Sequence, residues 1–144
     1  KRNECLGIVG DLHARPPAAF VQVFGRPAST YLGTAYLASL TGATILPFFD
    51  ERLPDHTHRA RIGDPIPVVQ TGDKQRDLLA TTMRVQEVIE REVRRRPREW
   101  YWLLSRWKIR PETVQHPERI PMEHRDFTPE EAYRIRHWDE QPDE

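Results

Sequence analysis

The sequence predicts an α/β fold with a mainly parallel or mixed sheet covered by helices. Two observations support this prediction. Strand-type and helix-type segments alternate between residues 4 and 95, which is the order that a sheet with crossover helices produces. Residues 43–49 are also almost continuously apolar, as strands buried on both faces of a parallel sheet are.

The first elements follow from short apolar runs and turn residues. Residues 5–10 form an apolar run that predicts a buried strand, and residues 20–24 are aromatic and β-branched, which predicts a second strand. Ser29 or Thr30 is expected to cap a helix that runs to about residue 40, and Gly42 is expected to end it.

The later elements alternate in the same way. A buried strand is predicted at 43–49, and 50–64 is charged and predicts a surface excursion. Residues 66–71 predict a strand near a sheet edge, because prolines at and before its start remove backbone donors. An amphipathic helix is predicted from about 74 to 95, and Thr128 opens a last short helix.

The charge pattern limits the classes of partner. The chain has 22 basic and 22 acidic residues, and the zero net charge argues against nucleic acid as a partner. The segment 91–110 is locally basic, and the segment after residue 111 is locally acidic. Cys5 has no cysteine partner and the histidines lack metal-ligand spacing, so we expect neither a disulfide, a metal nor a cofactor.

We divide the chain at this change of charge. Residues 1–111 are expected to form one domain portion, and residues 112–144 an acidic, proline-containing tail that is disordered or packed on the domain. The chain begins with Lys1 rather than methionine, and residues 4–10 read as the middle of an element, so we expect it to be a piece of a longer protein.

Three blocks carry a resemblance to a known family. They comprise Gly10-Asp11 with residues 23–33 and Leu37-Ala38, residues 41–52, and residues 97–111. In this order they resemble the lauroyl/myristoyl acyltransferases of lipid A biosynthesis, a branch of the glycerolipid acyltransferase superfamily. The resemblance identifies residues 1–111 as the C-terminal part of an acyltransferase domain. Leu104 departs from the family pattern, which usually has a histidine there.

The resemblance implies transfer of a fatty acyl chain from an acyl carrier protein or coenzyme A thioester to a hydroxyl of a glycolipid. It also implies a location at the cytoplasmic face of the bacterial inner membrane, anchored by segments that this chain lacks. The family's catalytic histidine precedes an aspartate or glutamate by five positions, and none of the 6 histidines here does so. We therefore expect the catalytic pair to lie before Lys1, and this fragment to be inactive alone. The acyl length, donor and acceptor sugar are not encoded in these motifs.

Four residues near predicted strand ends are candidates for substrate binding: Arg26, Asp11, Gly25 and Arg52. Arg26 follows Gly25, where a guanidinium suits an acceptor phosphate or the oxyanion of thioester attack. Asp11 suits a role in orienting substrate or pairing with Arg26. Against these roles, glycine, proline and aspartate are also ordinary turn residues, and loop arginines are commonly solvated.

A basic, tryptophan-rich segment is the candidate membrane or partner surface. Its members are Trp100, Trp102, Trp107, Arg106 and Lys108. Indoles favour the lipid headgroup layer and cations attract anionic lipid, whereas the same cations suit an acidic acyl carrier protein. Plain packing with some lipid-facing surface remains the favoured interpretation. The alternative to an enzyme is a non-catalytic lipid- or protein-binding module that uses this segment.

Overall fold

The computed structural model describes residues 4–15 and 18–140, so residues 141–144 of the predicted tail lie outside the described residues. The described part contains two β-hairpins and four α-helices. The elements in chain order are β1 Ala19–Val23, β2 Arg26–Thr30, α1 Gly33–Thr41, β3 Phe48–Arg52, β4 His58–Ile62, α2 Lys74–Arg95, α3 Glu123–Asp126 and α4 Pro129–Arg136. Single 3₁₀ turns at Pro97–Glu99, Pro111–Thr113 and Pro117–Arg119 join α2 to α3.

Both described sheets are antiparallel, which corrects the predicted parallel sheet. β1 pairs with β2, and β3 pairs with β4, each as a two-stranded hairpin. Parallel strands need a crossover of a dozen or more residues, whereas β1 and β2 are separated only by Phe24 and Gly25. The α/β content is therefore confirmed in part, and the predicted topology is wrong.

Helix α2 has the bounds that the sequence predicts. The Asp73 side chain accepts the Arg76 backbone N–H at 3.2 Å, which satisfies one of the unpaired donors at the helix start. At the other end the chain enters a 3₁₀ turn at Pro97, because proline cannot continue an α-helix. The long central helix was predictable because both of its ends are marked by local residues.

The core lies between the first hairpin and the apolar face of α2. Its fully buried members are Ala19, Val21, Val23, Ala28, Leu79, Ala80 and Met83, with Phe127 closing one side. The inward residues of β1 alternate along the strand, and Leu79 and Met83 are one helical turn apart. This packing fixes the hairpin, and hence its turn, against one face of α2.

Three predicted elements are wrong. Residues 5–10 are irregular and largely exposed rather than a buried strand, since no neighbouring strand pairs with them in the described part of the chain. Residues 43–49 contribute only an isolated bridge from Ile45 to Ile66 before β3 begins, and 66–71 form no strand. The region 50–64 is the surface hairpin β3–β4, which does fit the predicted surface excursion.

Ser29 and Thr30 were expected to cap a helix but lie at the buried end of β2. The Ser29 hydroxyl donates to the Ala14 carbonyl at 2.8 Å, so it closes a loop instead. Helix α1 begins later, at Gly33, with no side-chain cap, and ends as predicted where Gly42 adopts a left-handed φ of 71°.

The segment after residue 111 packs against β1 and α2 as far as residue 140. Phe20 donates its N–H to the Pro121 carbonyl at 2.9 Å, and Phe20 forms a parallel bridge with Met122. Thr128 caps α4 by accepting the Glu131 N–H at 3.2 Å, while Glu131 accepts the Thr128 N–H at 2.8 Å. The short helix predicted at Thr128 is therefore confirmed.

Candidate functional site

The candidate site surrounds the turn of the first hairpin. Phe24 and Gly25 both have positive φ, 51° and 71°, which is the backbone of a two-residue type I′ turn. Glycine adopts this conformation freely, but a phenylalanine does so only at a cost of about 1–2 kcal/mol. The Phe24 backbone N–H lies near the buried carboxylate of Glu90 and favours its ionised form, although burial outweighs this effect and raises the Glu90 pKa.

The Phe24 ring belongs to an aromatic cluster made of Phe24, Trp100, Trp102 and Trp107. Trp100 is its centre, with ring centroids 5.7 Å from Phe24, 6.2 Å from Trp107 and 4.7 Å from Trp102. The contacts with Trp102 and Trp107 are edge-to-face, the arrangement that aromatic quadrupoles favour. The cluster therefore connects the hairpin turn to the segment after α2.

Two arginines lie on the aromatic cluster. The Arg26 guanidinium lies 5.3 Å from the centroid of Trp107, and that of Arg94 lies 5.2 Å from Phe24. Arg94 also pairs with Glu90 at 2.9 Å, whereas Arg26 is exposed and forms no ion pair with any described residue. Stacking on an indole orients a guanidinium without using its N–H donors. Arg26 is thus a positioned cation whose donors remain available.

Asp11 lies on the other side of the same cluster. Its Oδ2 accepts a hydrogen bond from Trp100 Nε1 at 3.0 Å, and the residue is half-buried. Asp11 and Arg26 therefore contact different tryptophans, and no hydrogen bond or ion pair joins the two side chains. The structure brings them to one cluster without the direct pairing that the sequence suggested.

Arg106 is buried rather than exposed, which corrects its assignment to a surface. Only 1% of it is accessible to solvent. Its guanidinium donates to the Ser29 carbonyl at 2.7 Å, to the Thr30 hydroxyl at 2.6 Å and to Gln86 Oε1 at 3.3 Å. Burial lowers the Arg106 pKa to about 10, a shift that the charges of Asp11 and Glu90 partly oppose. Arg106 therefore ties the hairpin to α2 and cannot contact a membrane or partner.

For the remaining predicted residues, Arg52 and Lys108, no ring contact or ion pair with this cluster is described. Arg52 is exposed at the end of β3 and contacts His56 Nδ1 at 3.1 Å, with no described contact to Asp11, Gly25 or Arg26. Lys108 is exposed on the segment after the aromatic residues. Within residues 4–15 and 18–140, no three His, Cys, Asp or Glu side chains are grouped as a metal site would require.

A buried polar set near the turn was not predicted from the sequence. Gln86 and Glu90 lie on the face of α2 that also carries Met83 and Val93, and all four are buried. The sequence did contain a signal for this set, namely two polar residues within the apolar stripe of a helix. Buried polar groups require hydrogen-bond partners, so these positions indicate a buried polar contact. Gln86 accepts from Arg106 and donates to the Gly10 carbonyl, and Glu90 pairs with Arg94 and Arg136.

Comparison with known proteins now identifies the family. The model of the family described as bacterial lipid A biosynthesis acyltransferase matches residues 1–109. The chain belongs to this family. It is also similar to the lipid A biosynthesis lauroyltransferase of Escherichia coli (strain K12), with 33% identity over 116 residues that make up 79% of this chain. Those residues span 37% of the length of that relative.

Family membership confirms the resemblance inferred from the three sequence blocks. The match includes the hairpin turn, the aromatic cluster, Asp11 and Arg106, whereas α3 and α4 lie after it. None of the helices in the described ranges is both long enough and apolar enough to span a bilayer. Within the family-matched region, Arg26 is an exposed cation that is positioned on an aromatic ring beside the hairpin turn.

Proposed function

We propose that this chain supplies the acceptor-binding part of an acyltransferase that moves a fatty acyl chain from a thioester to a hydroxyl of a lipid A-type glycolipid. The donor is an acyl carrier protein or coenzyme A thioester. The supporting observation is Arg26, an exposed cation without an ion pair among the described residues, held on Trp107 beside a fixed turn. Membership of the lipid A biosynthesis acyltransferase family supports the reaction class.

In this proposal Arg26 binds an acceptor phosphate or the oxyanion that forms at the thioester carbonyl. Both are anionic oxygens, and a guanidinium donates two parallel N–H bonds to such groups. The type I′ turn and the Trp107 contact limit the motion of Arg26, so little conformational entropy is lost on binding. We assign Asp11 the role of a positioning residue that orients Trp100, and Gly25 that of permitting the turn.

The proton acceptor of the acceptor hydroxyl is not among the histidines of this chain. None of the 6 histidines is followed five positions later by a carboxylate. A histidine removes the hydroxyl proton while a carboxylate fixes its tautomer, so both are needed together. We propose that this pair lies in sequence outside these 144 residues, that the chain alone is inactive, and that the reaction occurs at the cytoplasmic face of the inner membrane.

The test is an acyl-transfer assay on the full-length protein with Arg26→Ala, Arg26→Lys and Arg119→Ala. Loss of a charge-assisted contact of about 1.5–3 kcal/mol predicts a fall in kcat/KM of about tenfold to hundredfold for Arg26→Ala. Arg26→Lys should retain part of the kcat/KM that Arg26→Ala loses, because lysine keeps the positive charge but lacks the planar guanidinium that donates two parallel hydrogen bonds. Arg119 is exposed on a 3₁₀ turn after the family-matched region and serves as the matched control. Unchanged turnover in Arg26→Ala would remove Arg26 from the site.

The same assay examines Arg52, the second candidate cation. Arg52→Ala should lower kcat/KM only if β3 lies beside the acceptor in the complete protein, since the described residues place it apart from Arg26. A non-catalytic binding module remains the competing hypothesis. A coding sequence whose product has no histidine five residues ahead of a carboxylate would favour that module over the enzyme.

A further inference from the structure

We propose that residues 101–103 form a membrane-contacting tip that inserts into a surface containing anionic lipids, with the cations around the aromatic cluster binding the lipid headgroups. This inference goes beyond acyl transfer, because attachment to a lipid surface requires neither an acyl donor nor a catalytic histidine. It commits to a lipid surface rather than to a soluble partner.

Three consecutive large apolar side chains are exposed at the tip. Tyr101 is 59% exposed, Trp102 56% and Leu103 81%. Single exposed apolar residues are ordinary on protein surfaces, but a contiguous apolar patch marks a site that contacts another apolar phase. Tyrosine and tryptophan are also the residues that concentrate at membrane–water interfaces.

The tip is fixed in place by its own hydrogen bonds. The Trp102 N–H donates to the Trp100 carbonyl at 3.0 Å, and the Leu104 N–H donates to the Tyr101 carbonyl at 3.1 Å. Trp102 Nε1 donates to the Pro97 carbonyl at 2.6 Å, and the Trp102 ring lies edge-to-face on Trp100. The apolar side chains therefore project from a folded base, and insertion does not require the segment to order first.

Exposed cations lie on both sides of this base along the chain. Within residues 97–110 the exposed charged residues are Arg98, Lys108 and Arg110 against Glu99. None of these three cations forms an ion pair with any described residue. Arg26 and Arg94 extend the positive region, because each lies on a ring of the aromatic cluster that supports Trp102. An anionic headgroup layer is the complementary surface for this charge.

A lipid surface explains both the exposed apolar tip and the nearby cations, whereas an acidic soluble protein explains only the cations. Carrier-protein docking would use the cations but would not require an apolar tip of three residues. A bilayer takes the apolar side chains into its interface and holds the cations at the headgroups. The aromatic cluster connects the tip to Arg26, so attachment would place Arg26 close to the headgroup layer, where phosphorylated glycolipids lie.

The test is co-sedimentation of the 144-residue chain with vesicles of phosphatidylcholine alone or mixed with phosphatidylglycerol. We expect binding that increases with the phosphatidylglycerol content and decreases with salt. Leu103→Asp should weaken binding by about tenfold to hundredfold, which corresponds to the transfer of a leucine side chain. Leu103 is exposed, so this change should leave folding intact, as circular dichroism would verify.

Matched controls separate the tip from general surface effects. Leu40, which is 67% exposed at the end of α1, gives the control Leu40→Asp. Arg98→Glu should weaken binding at least about fivefold, the effect of one cation near an anionic surface, whereas Arg119→Glu should not. The proposal would be overturned if Leu103→Asp bound vesicles as tightly as the wild type. It would also be overturned if Leu40→Asp lost as much vesicle binding as Leu103→Asp.

Two further readouts distinguish insertion from other outcomes. Lipids brominated near the headgroup should quench tryptophan fluorescence, and Trp102→Phe should remove most of that quenching. Binding to a purified acidic acyl carrier protein but not to vesicles would assign the surface to a protein instead and reject the lipid proposal. Because no acyl donor is present, failure here would leave the proposed acyl transfer standing.

Discussion

Arg136 on α4 offers the sharpest test of how the structure is held together. Its guanidinium donates to both oxygens of Glu123, at 3.1 and 2.7 Å, to Glu87 Oε2 at 3.3 Å and to the Gln22 carbonyl at 2.7 Å. Glu90 Oε1 lies 3.7 Å away. All three carboxylates are buried, so Arg136 is the cation that they share. Arg136→Met keeps much of the side-chain volume and removes the charge.

The expected loss of stability depends on which cations still pair with the three carboxylates after Arg136 is replaced. Arg94 still pairs with Glu90 and Arg91 lies 3.9 Å from Glu87, but Glu123 has no other described cation partner. Removing one member of a buried ion pair costs about 3–5 kcal/mol, because the other charge stays buried without compensation. At about 2–4 °C per kcal/mol for a chain of this size, Tm should fall by roughly 10 °C.

Urea denaturation of wild type, Arg136→Met and Arg134→Met provides the assay. Arg134 lies on the same helix but is exposed, so its loss should change the free energy of unfolding by less than about 0.5 kcal/mol. Burial raises the pKa of Glu90 and Arg136 opposes that shift, so without Arg136 the Glu90 pKa should rise further and its ionisation should penalise the folded state at neutral pH. The Arg136→Met deficit should therefore shrink between pH 7 and pH 4, where Glu90 becomes protonated.

Two results would refute this reasoning. One is a deficit below about 1 kcal/mol at pH 7, which would show that the guanidinium contributes little beyond the cost of its own burial. The other is a deficit that does not depend on pH, which would assign the loss to packing rather than charge. The double variant Arg136→Met/Glu123→Gln should regain part of the stability, because it removes the uncompensated carboxylate.

Two further predictions concern α2. Burial raises the pKa of Asp77, but hydrogen bonds from the Thr71 hydroxyl and the Thr71 and Gly72 amides outweigh it and lower the pKa below its usual 3.8. The stabilisation is therefore present above pH 3.8 and lost as pH falls through the lowered value. Asp77→Asn should cost about 1–3 kcal/mol at pH 7 and progressively less in acid, as urea midpoints would show. Met83→Ala should lower the free energy of unfolding by about 2–5 kcal/mol, since Met83 is wholly buried; an undiminished urea midpoint would contradict the assignment of the core.

The sequence allowed prediction of those elements whose limits are set locally. Asp73 and Pro97 define α2, Gly42 ends α1, and Thr128 caps α4 through its own neighbours. The prediction of a strand at 5–10 was wrong. An apolar run suggests burial, but it does not show which strand would pair with it, and none pairs with it in the described part of the chain. The β2 strand was missed because Arg26 and Pro27 follow Gly25 as a loop would, and only pairing with β1 makes the segment extended.

The candidate site was partly predictable for a related reason. Motif reasoning selected Arg26, Asp11 and the tryptophans, and the structure places them on one aromatic cluster. The motifs did not show that Arg106 is buried while the cations near it in sequence are exposed. The sequence does not distinguish a buried arginine from a solvated one. Arg106 is buried because it bonds to Gln86, Ser29 and Thr30, which are distant along the chain.

Glu90 joins the candidate site to the segment that follows the family-matched residues 1–109. It lies near the Phe24 N–H of the turn and pairs with Arg136 of α4, and burial raises its pKa despite these neighbours. A buried carboxylate keeps its charge only while compensating cations and donors stay in place. Loss of Arg136 would disfavour the ionised state of Glu90, and with it the attraction between this carboxylate and the Phe24 N–H. Arg136 also donates to the Gln22 carbonyl of β1 at 2.7 Å, so α4 supports the strand that leads into the turn both directly and through Glu90.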